Sequence, residues 1–186
     1  RGLICMVDHL LVYHPGLQKV KQIIDDGLLG EVFYLYGNRQ NLGIVRADEN
    51  ALWSLGPHDI SVMLWLVGER PTEVSASGES YLQTGVEDVA FGRIRFPSGV
   101  LGHLHLSWLD PHKMRKMTVI GRDKMVVFDD METERKVTLY DKGPDGTAGG
   151  GPFDTWINQT TKAVEIGTAT VAQGGIHKDL TNVLAG

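Results

Sequence analysis

Leu52-Trp53-Ser54-Leu55-Gly56-Pro57-His58-Asp59-Ile60 leads into a helix, and behind that helix the period of the sequence changes. Proline suits the first helical position, because its missing N–H has no intrahelical partner there. The stretch therefore predicts a helix whose mouth holds Pro57, then His58, then Asp59, the last favoured by the positive end of the helix dipole. Ile60, Met63, Leu64 and Val67 recur at helical spacing and form the expected buried stripe. Gly68 and Pro71 stop the helix. An imidazole at such a mouth resists protonation. It is then suited to accept a proton from an alcohol near neutral pH.

Working outward, Thr72 to Tyr140 alternates with period two. Candidate strands are 72–81, 86–96, 100–109, 114–121, 124–130 and 136–140. Phe96-Pro97-Ser98-Gly99-Val100 and Gly121-Arg122-Asp123-Lys124 read as hairpin turns. Upstream, a helix is expected after Tyr13-His14-Pro15, running to about Asp26, with Leu17, Val20 and Ile24 as its apolar stripe. Gly27 and Gly30 end it. Residues 31–41 read as a strand, with Val32, Tyr34 and Tyr36 on one face and Phe33 and Leu35 on the other. Residues 42–51 look irregular. Two helices followed by many strands predict an α+β domain, a largely antiparallel open sheet with helices packed on one face. Short connections predict that neighbouring strands pair in order.

The opening run Leu3-Ile4-Cys5-Met6-Val7 reads as a buried strand of the kind that parallel sheets cover on both faces, with Cys5 as a small core residue. Nothing upstream supplies the rest of such a sheet, so a fragment, or a gene starting partway into a larger fold, is expected. Residues 141–152 are glycine-rich and read as a loop or link; one further strand is expected between Thr160 and Val171. The chain has 186 residues, 42% of them hydrophobic and 22% charged, which suits a globular domain with a real core. Its net charge of -5 argues against nucleic acid. No apolar run is long enough to cross a bilayer and no signal peptide is visible, so a cytoplasmic protein without a membrane partner is the default.

Together these segments resemble the C-terminal domain of the glucose–fructose oxidoreductase and inositol dehydrogenase family (Gfo/Idh/MocA). The resemblance runs from residue 3 to about 142. Leu3–Val7 resembles the last strand of that family's dinucleotide-binding domain, and Leu11-Val12-Tyr13-His14-Pro15 its lead into the next helix. Asp26-Gly27-Leu28-Leu29-Gly30-Glu31-Val32 resembles the approach to the first strand of the large sheet. Ala51 through Ile60 resembles the active-site helix. Glu87-Asp88-Val89-Ala90, Phe96-Pro97-Ser98-Gly99-Val100 and Ser107-Trp108-Leu109-Asp110-Pro111 look like a branch acting on nucleotide-linked amino sugars and uronic acids.

The resemblance implies a two-part division of the chain. Residues 1–142 would be a substrate and oligomerisation domain lacking the Rossmann domain, and 143–186 a glycine-rich link with an irregular C-terminal segment. It implies His58 as the catalytic proton acceptor in the oxidation of a sugar alcohol. NAD or NADP is implied for a full-length relative, whose glycine-rich turn and Glu-Lys-Pro lysine would lie upstream of residue 1. No cofactor-binding residue is expected in this chain, and the chain alone is expected to be inactive. Ser54 stands where many relatives carry aspartate. Asn41, Arg46, Trp108 and Lys113 are the candidate substrate-binding residues. Arginine forks pair with two oxygens of a carboxylate or phosphate. Taken singly, Arg46, Asn41 and Asn50 are as readily solvated loop residues. Trp108, with Lys113 and Arg115 beyond Asp110-Pro111, could line a sugar or nucleotide site, but a tryptophan ending a strand is more often a packing residue. The expected partners are a second copy through the sheet and a small sugar ligand. The alternative is a non-catalytic sugar-binding or assembly module built on a homodimerising sheet. His103 and His105 share one side of a strand, but two ligands are too few for a closed zinc site, so polar positions on an exposed sheet are expected and no metal. Gly149-Gly150-Gly151 has no strand–turn–helix context for a phosphate loop.

Overall fold

The structure, a computed structural model, describes residues 2–43 and 45–141 and the backbone of 163–165. After a 3-10 turn at Leu10–Tyr13, helix α1 runs Pro15–Asp25. Its start is built locally. Pro15 takes the first position, and His14 Nδ1 accepts a hydrogen bond from the Gly16 N–H at 3.0 Å. Leu17, Val20 and Ile23 are buried on its inner face, with Ile24 packed beside them.

Helix α2 spans Ala51–Val67, so it begins earlier than Pro57. The cap is Asn50, whose side chain accepts from the Trp53 N–H at 2.9 Å and donates to Glu87 at 2.7 Å. The Ala51 N–H is taken by the Glu87 carbonyl at 2.8 Å. Asn50 and Glu87 thus satisfy the helix start that the sequence reading assigned to Pro57. Pro57 and His58 lie inside the helix. Proline there removes one intrahelical hydrogen bond, a cost that the packing of α2 offsets. The inner face also differs from the expected stripe. Val62, Met63 and Leu66 are fully buried, and Asp59 is buried beside them at 4% exposure. Gly68, at φ 75°, closes α2 in the left-handed conformation that glycine adopts without strain.

The strands are β1 (Val32–Gln40), β2 (Glu73–Glu79), β3 (Val89–Arg95), β4 (Leu101–Ser107), β5 (Met114–Gly121), β6 (Met125–Asp129), β7 (Val137–Tyr140) and β8 (Ala163–Glu165). They form one sheet in the order β2-β3-β4-β1-β5-β6-β7-β8. Every expected strand except Leu3–Val7 is present, each within its expected bounds. The order is not simply sequential, because β1 is inserted between β4 and β5, parallel to the first and antiparallel to the second. A parallel neighbour needs a crossover. Here α2 and the β2–β3 strands supply it. A register shift between Val32 and Tyr34 moves Val32 to the helix-facing core, while Tyr34 stays on the other face.

Both helices cover one face, where Leu35, Ile94, Leu104, Leu106, Met117, Val119, Val126 and Phe128 meet α1 and α2. Among the described residues no helix covers the other face. Leu3–Val7 forms no strand, because no strand lies beside it among the described residues. Leu3, Ile4, Met6 and Val7 are 70% exposed or more, and Cys5 is exposed rather than in the core. The glycine run 149–151 and most of 143–186 lie outside the described residues, apart from β8.

The end of β5 is packed most closely. A Cβ added at Gly121 would stand 2.2 Å from the Leu29 carbonyl oxygen, which also accepts from the Asp123 N–H. Backbone on both sides leaves no flexible group to yield. Gly121→Ala is expected to destabilise the fold by about 1–3 kcal/mol. The check is urea unfolding: the midpoint should fall, and an unchanged midpoint would show that the two segments separate freely.

Candidate functional site

At the carboxyl end of β1, Leu35, Gly37 and Arg39 alternate toward the helices. Arg39 is 8% exposed, and a cation buried that deeply needs a partner. Asp59 on α2 provides it. Arg39 Nε donates to Asp59 Oδ2 at 2.6 Å, and Nη2 to Oδ1 at 3.2 Å. This two-point pairing fixes position as well as charge. It joins the middle of α2 to the sheet, and Asp59 Cβ comes within 3.5 Å of where a Cβ on Gly37 would be.

His58 precedes Asp59 on the same helix and is half-buried. Burial holds its pKa below the ordinary 6.5. The charges of Arg39, Arg115 and His9 push the same way, and Asp59 opposes them. The imidazole therefore stays neutral near pH 7, as expected, but the cause is burial and neighbouring cations rather than a helix mouth. Ser54 lies one turn earlier on α2 and is half-buried.

The strand next to β1 adds a second cationic group. Arg115 on β5 is the cross-strand partner of Arg39. It faces Asp130 at 3.6 Å. Asp130 also receives Lys136 and lies 3.6 Å from His14. Burial pushes the Asp130 carboxyl up, but the Lys136 hydrogen bond and the charges of Lys136, His14 and Arg115 hold it below its ordinary range. Burial lowers His14, too, against the pull of Asp130.

The candidate substrate residues are scattered. Asn41 follows β1 directly, and its N–H donates to the Ser107 carbonyl at 3.0 Å, so it lies at the Arg39 end of the strand. Arg46 turns to Glu49 in its own loop at 2.9 Å and is not brought to His58 by any contact. Trp108 is 3% exposed and packs inside the protein, the alternative its sequence position allowed. Lys113 is exposed on the turn before β5. His105 stacks on Phe91 with ring centroids 4.5 Å apart and meets Gln40 on the open face. Among the described residues no cluster of three metal-ligating side chains exists. No helix there is long and apolar enough to cross a membrane.

The model of the GFO/IDH/MocA C-terminal domain matches residues 17–127. No curated protein sequence matches the chain. Among solved structures, the fold is similar to UDP-N-acetylglucosamine 3-dehydrogenase GnnA from Acidithiobacillus ferrooxidans, with a TM-score of 0.71 at 21% identity, over 98% of this chain and 53% of that one. It is similar to the WlbA dehydrogenase from Bordetella pertussis in complex with NADH and UDP-GlcNAcA, with a TM-score of 0.59 at 18% identity, over 68% and 42%. An inositol dehydrogenase homolog from Azotobacter vinelandii, complexed with NADH and myo-inositol, gives 0.66 at 17% identity, over 89% and 43%. The chain spans about half the length of these enzymes or less.

The pairing of Arg39 with Asp59 makes a clear stability prediction. Arg39→Met alone leaves a buried carboxylate unpaired and should destabilise the fold by about 3–5 kcal/mol. Arg39→Met with Asp59→Leu removes both charges and should recover most of that loss. Equal losses in the single and double variants, measured by urea unfolding, would show that the pair does not hold α2. Both partners, His58 and Arg115 lie inside the matched segment 17–127, as do both helices and strands β1 to β6 except the start of α1 and the end of β6. On that match, the chain belongs to the Gfo/Idh/MocA C-terminal domain family.

Proposed function

We propose that this chain is the substrate-binding and oligomerisation domain of an NAD(P)-dependent sugar or sugar-nucleotide oxidoreductase. The observation that carries this reading is His58, neutral and half-buried on the helix that Arg39 and Asp59 clamp to the sheet. Oxidation of a secondary alcohol to a ketone releases the carbinol hydrogen as hydride, which a nicotinamide takes up when bound. The hydroxyl proton goes to a ring nitrogen of His58, which burial keeps open to receive it. Ser54, one turn away, is a hydroxyl rather than a carboxylate, so it supports the site by hydrogen bonding and not by charge.

No described residue forms a glycine-rich strand–turn–helix, so none is assigned to the dinucleotide. Leu3–Val7 is exposed and apolar, which suits a strand that the parallel sheet of a nucleotide-binding domain takes up. The likeness to enzymes seen with NADH, and to one acting on a UDP-sugar, supports both cofactor and substrate class.

The open sheet face supports the oligomerisation half. Tyr34 and Tyr36 stack there at 6.3 Å, and Tyr34 and Phe91 are 44% and 43% exposed. Apolar surface of this kind favours a second copy through the same face. That face also favours the second reading, a non-catalytic assembly module that binds a sugar without turning it over.

A titration of the chain with UDP-N-acetylglucosamine, followed by NMR, tests the first half, and light scattering tests the second. We expect shifts centred on His58 and Asn41, weakened in His58→Ala, and a dimer that Tyr34→Lys with Phe91→Lys converts to monomer. Unmoved resonances would contradict the substrate reading. A monomer at every concentration would contradict the assembly reading.

A further inference from the structure

One histidine outside the His58 site joins two elements. The His14 N–H donates to the Leu11 carbonyl at 3.0 Å and closes the 3-10 turn, while its side chain caps the start of α1. Helices usually take such a cap from Ser, Thr, Asp or Asn, whose oxygens accept throughout the neutral range. An imidazole nitrogen accepts only while it carries no proton. The Gly16 N–H donates to His14 Nδ1 at 3.0 Å, so Nδ1 is bare and the ring hydrogen sits on Nε2. Nε2 lies 3.6 Å from Asp130 Oδ1. A second proton has only Nδ1 to go to, and there it would meet the Gly16 N–H head-on. Capping and protonation of this ring exclude each other.

Turning in place does not rescue the cap. The ring is 13% exposed and meets the Phe128 ring edge-on, with centroids 4.9 Å apart. A Cβ on Gly16 would stand 2.8 Å from the Phe128 ring and 3.2 Å from Nδ1, so a glycine there gives the imidazole its seat. A half-turn of the ring would put a C–H where Nδ1 now accepts, and the cap would be lost all the same.

The charges around the ring come from the strands beneath it. Asp130 and Lys136 lie on the turn that joins β6 to β7, and Arg115 on β5 reaches the same Asp130. The first turn of α1 carries no acidic residue of its own. Burial lowers the His14 pKa from the ordinary 6.5, Asp130 raises it and Lys136 lowers it, with burial the largest effect. The bare, capping form therefore prevails at neutral pH. The stabilisation it gives is present above 6.5 and is lost as pH falls through the lowered value.

We infer that His14 is a pH-operated latch on the joint between the 3-10 turn and α1: bare, it closes the first turn of α1, and protonated, it releases Gly16 and turns to Asp130. The joint lies where it can matter. The 3-10 turn packs against both α1 and α2, the helix that bears His58, and the exposed run Leu3–Val7 leads into it. Mild acid thus loosens the segment between that run and the two helices while the sheet stays paired.

The test follows hydrogen exchange of the Gly16 amide in the full chain, corrected for the intrinsic pH dependence of exchange, from about pH 8 to about pH 5, with the His14 ring nitrogens followed by NMR alongside. Exchange at Gly16 should quicken about five-fold, the worth of one side-chain cap, as His14 titrates with a midpoint below 6.5. The amides of the β4–β1–β5 ladder should keep their protection. His14→Asn keeps an acceptor that does not titrate and should hold Gly16 protected across the range. His14→Ala should leave Gly16 unprotected at every pH with the ladder intact. Gly16 protection that ignores the titration of His14, or that fails in acid in His14→Asn as well, overturns the inference. So does loss of the ladder amides together with Gly16, because acid is then unfolding the whole domain.

Discussion

The buried ion pair between Arg39 and Asp59 is the constraint on which the rest of this structure turns. Two charges removed from water are tolerated only when each satisfies the other with good geometry. Here the two-point contact at 2.6 and 3.2 Å does so. Its consequence is directional. Asp59 must face the sheet, so α2 is rotated to bring Val62, Met63 and Leu66 inward, and His58, one residue earlier, falls at the margin of the core. A hydrophobic face alone would let α2 roll by a few tens of degrees at little cost. A bidentate pair would not.

The placement of β1 makes that pairing possible. As a central strand between β4 and β5, β1 delivers Arg39 to the middle of the sheet's width, beneath α2. Gly37, one alternation earlier, leaves room for the helix to come close. The same insertion divides the domain's two faces by chemistry. The covered face ends in the Arg39–Asp59 pair, with His58 beside it on α2 and Arg115 opposite Arg39 on β5. The open face carries Tyr34, Tyr36, Phe91 and His105, and no described helix lies over it. The candidate site on one face and the exposed aromatic residues on the other are what the proposed pairing of substrate binding with assembly rests on.

The alternation from Thr72 to Tyr140 was legible as strands because half-buried strands repeat every two residues, and the two helices were legible from their stripes. The start of α2 was misread for a physical reason. Proline marks a helix mouth by local chemistry, but here Asn50 and Glu87, a residue distant in sequence, make the start, and packing overrides the proline. The insertion of β1 was not legible, since pairing between residues that far apart leaves no local trace. Leu3–Val7 looked like a core strand because its composition is that of one; no described strand lies beside it, so composition alone does not bury it. The Arg39–Asp59 pair left a signal that went unused. Arg39 continues the buried alternation of Leu35 and Gly37, and Asp59 lies one turn before Met63, so opposite charges occupy the inner faces of two elements that pack together. Arg115 was legible as a candidate beside Trp108 and Lys113, but its place opposite Arg39 was not, since that depends on the insertion of β1.

His58 reports on all of this at once. Its neutrality depends on α2 being held against the sheet, on the burial that follows, and on the cations that β1 and β5 bring to it. The most direct measurement is an NMR titration of the His58 imidazole in the folded chain. The account predicts a midpoint below the ordinary 6.5, the ring carrying no charge at neutral pH. A midpoint at or above 6.5 would mean that the ring is solvated or paired with a carboxylate, and that the clamp does not set the site.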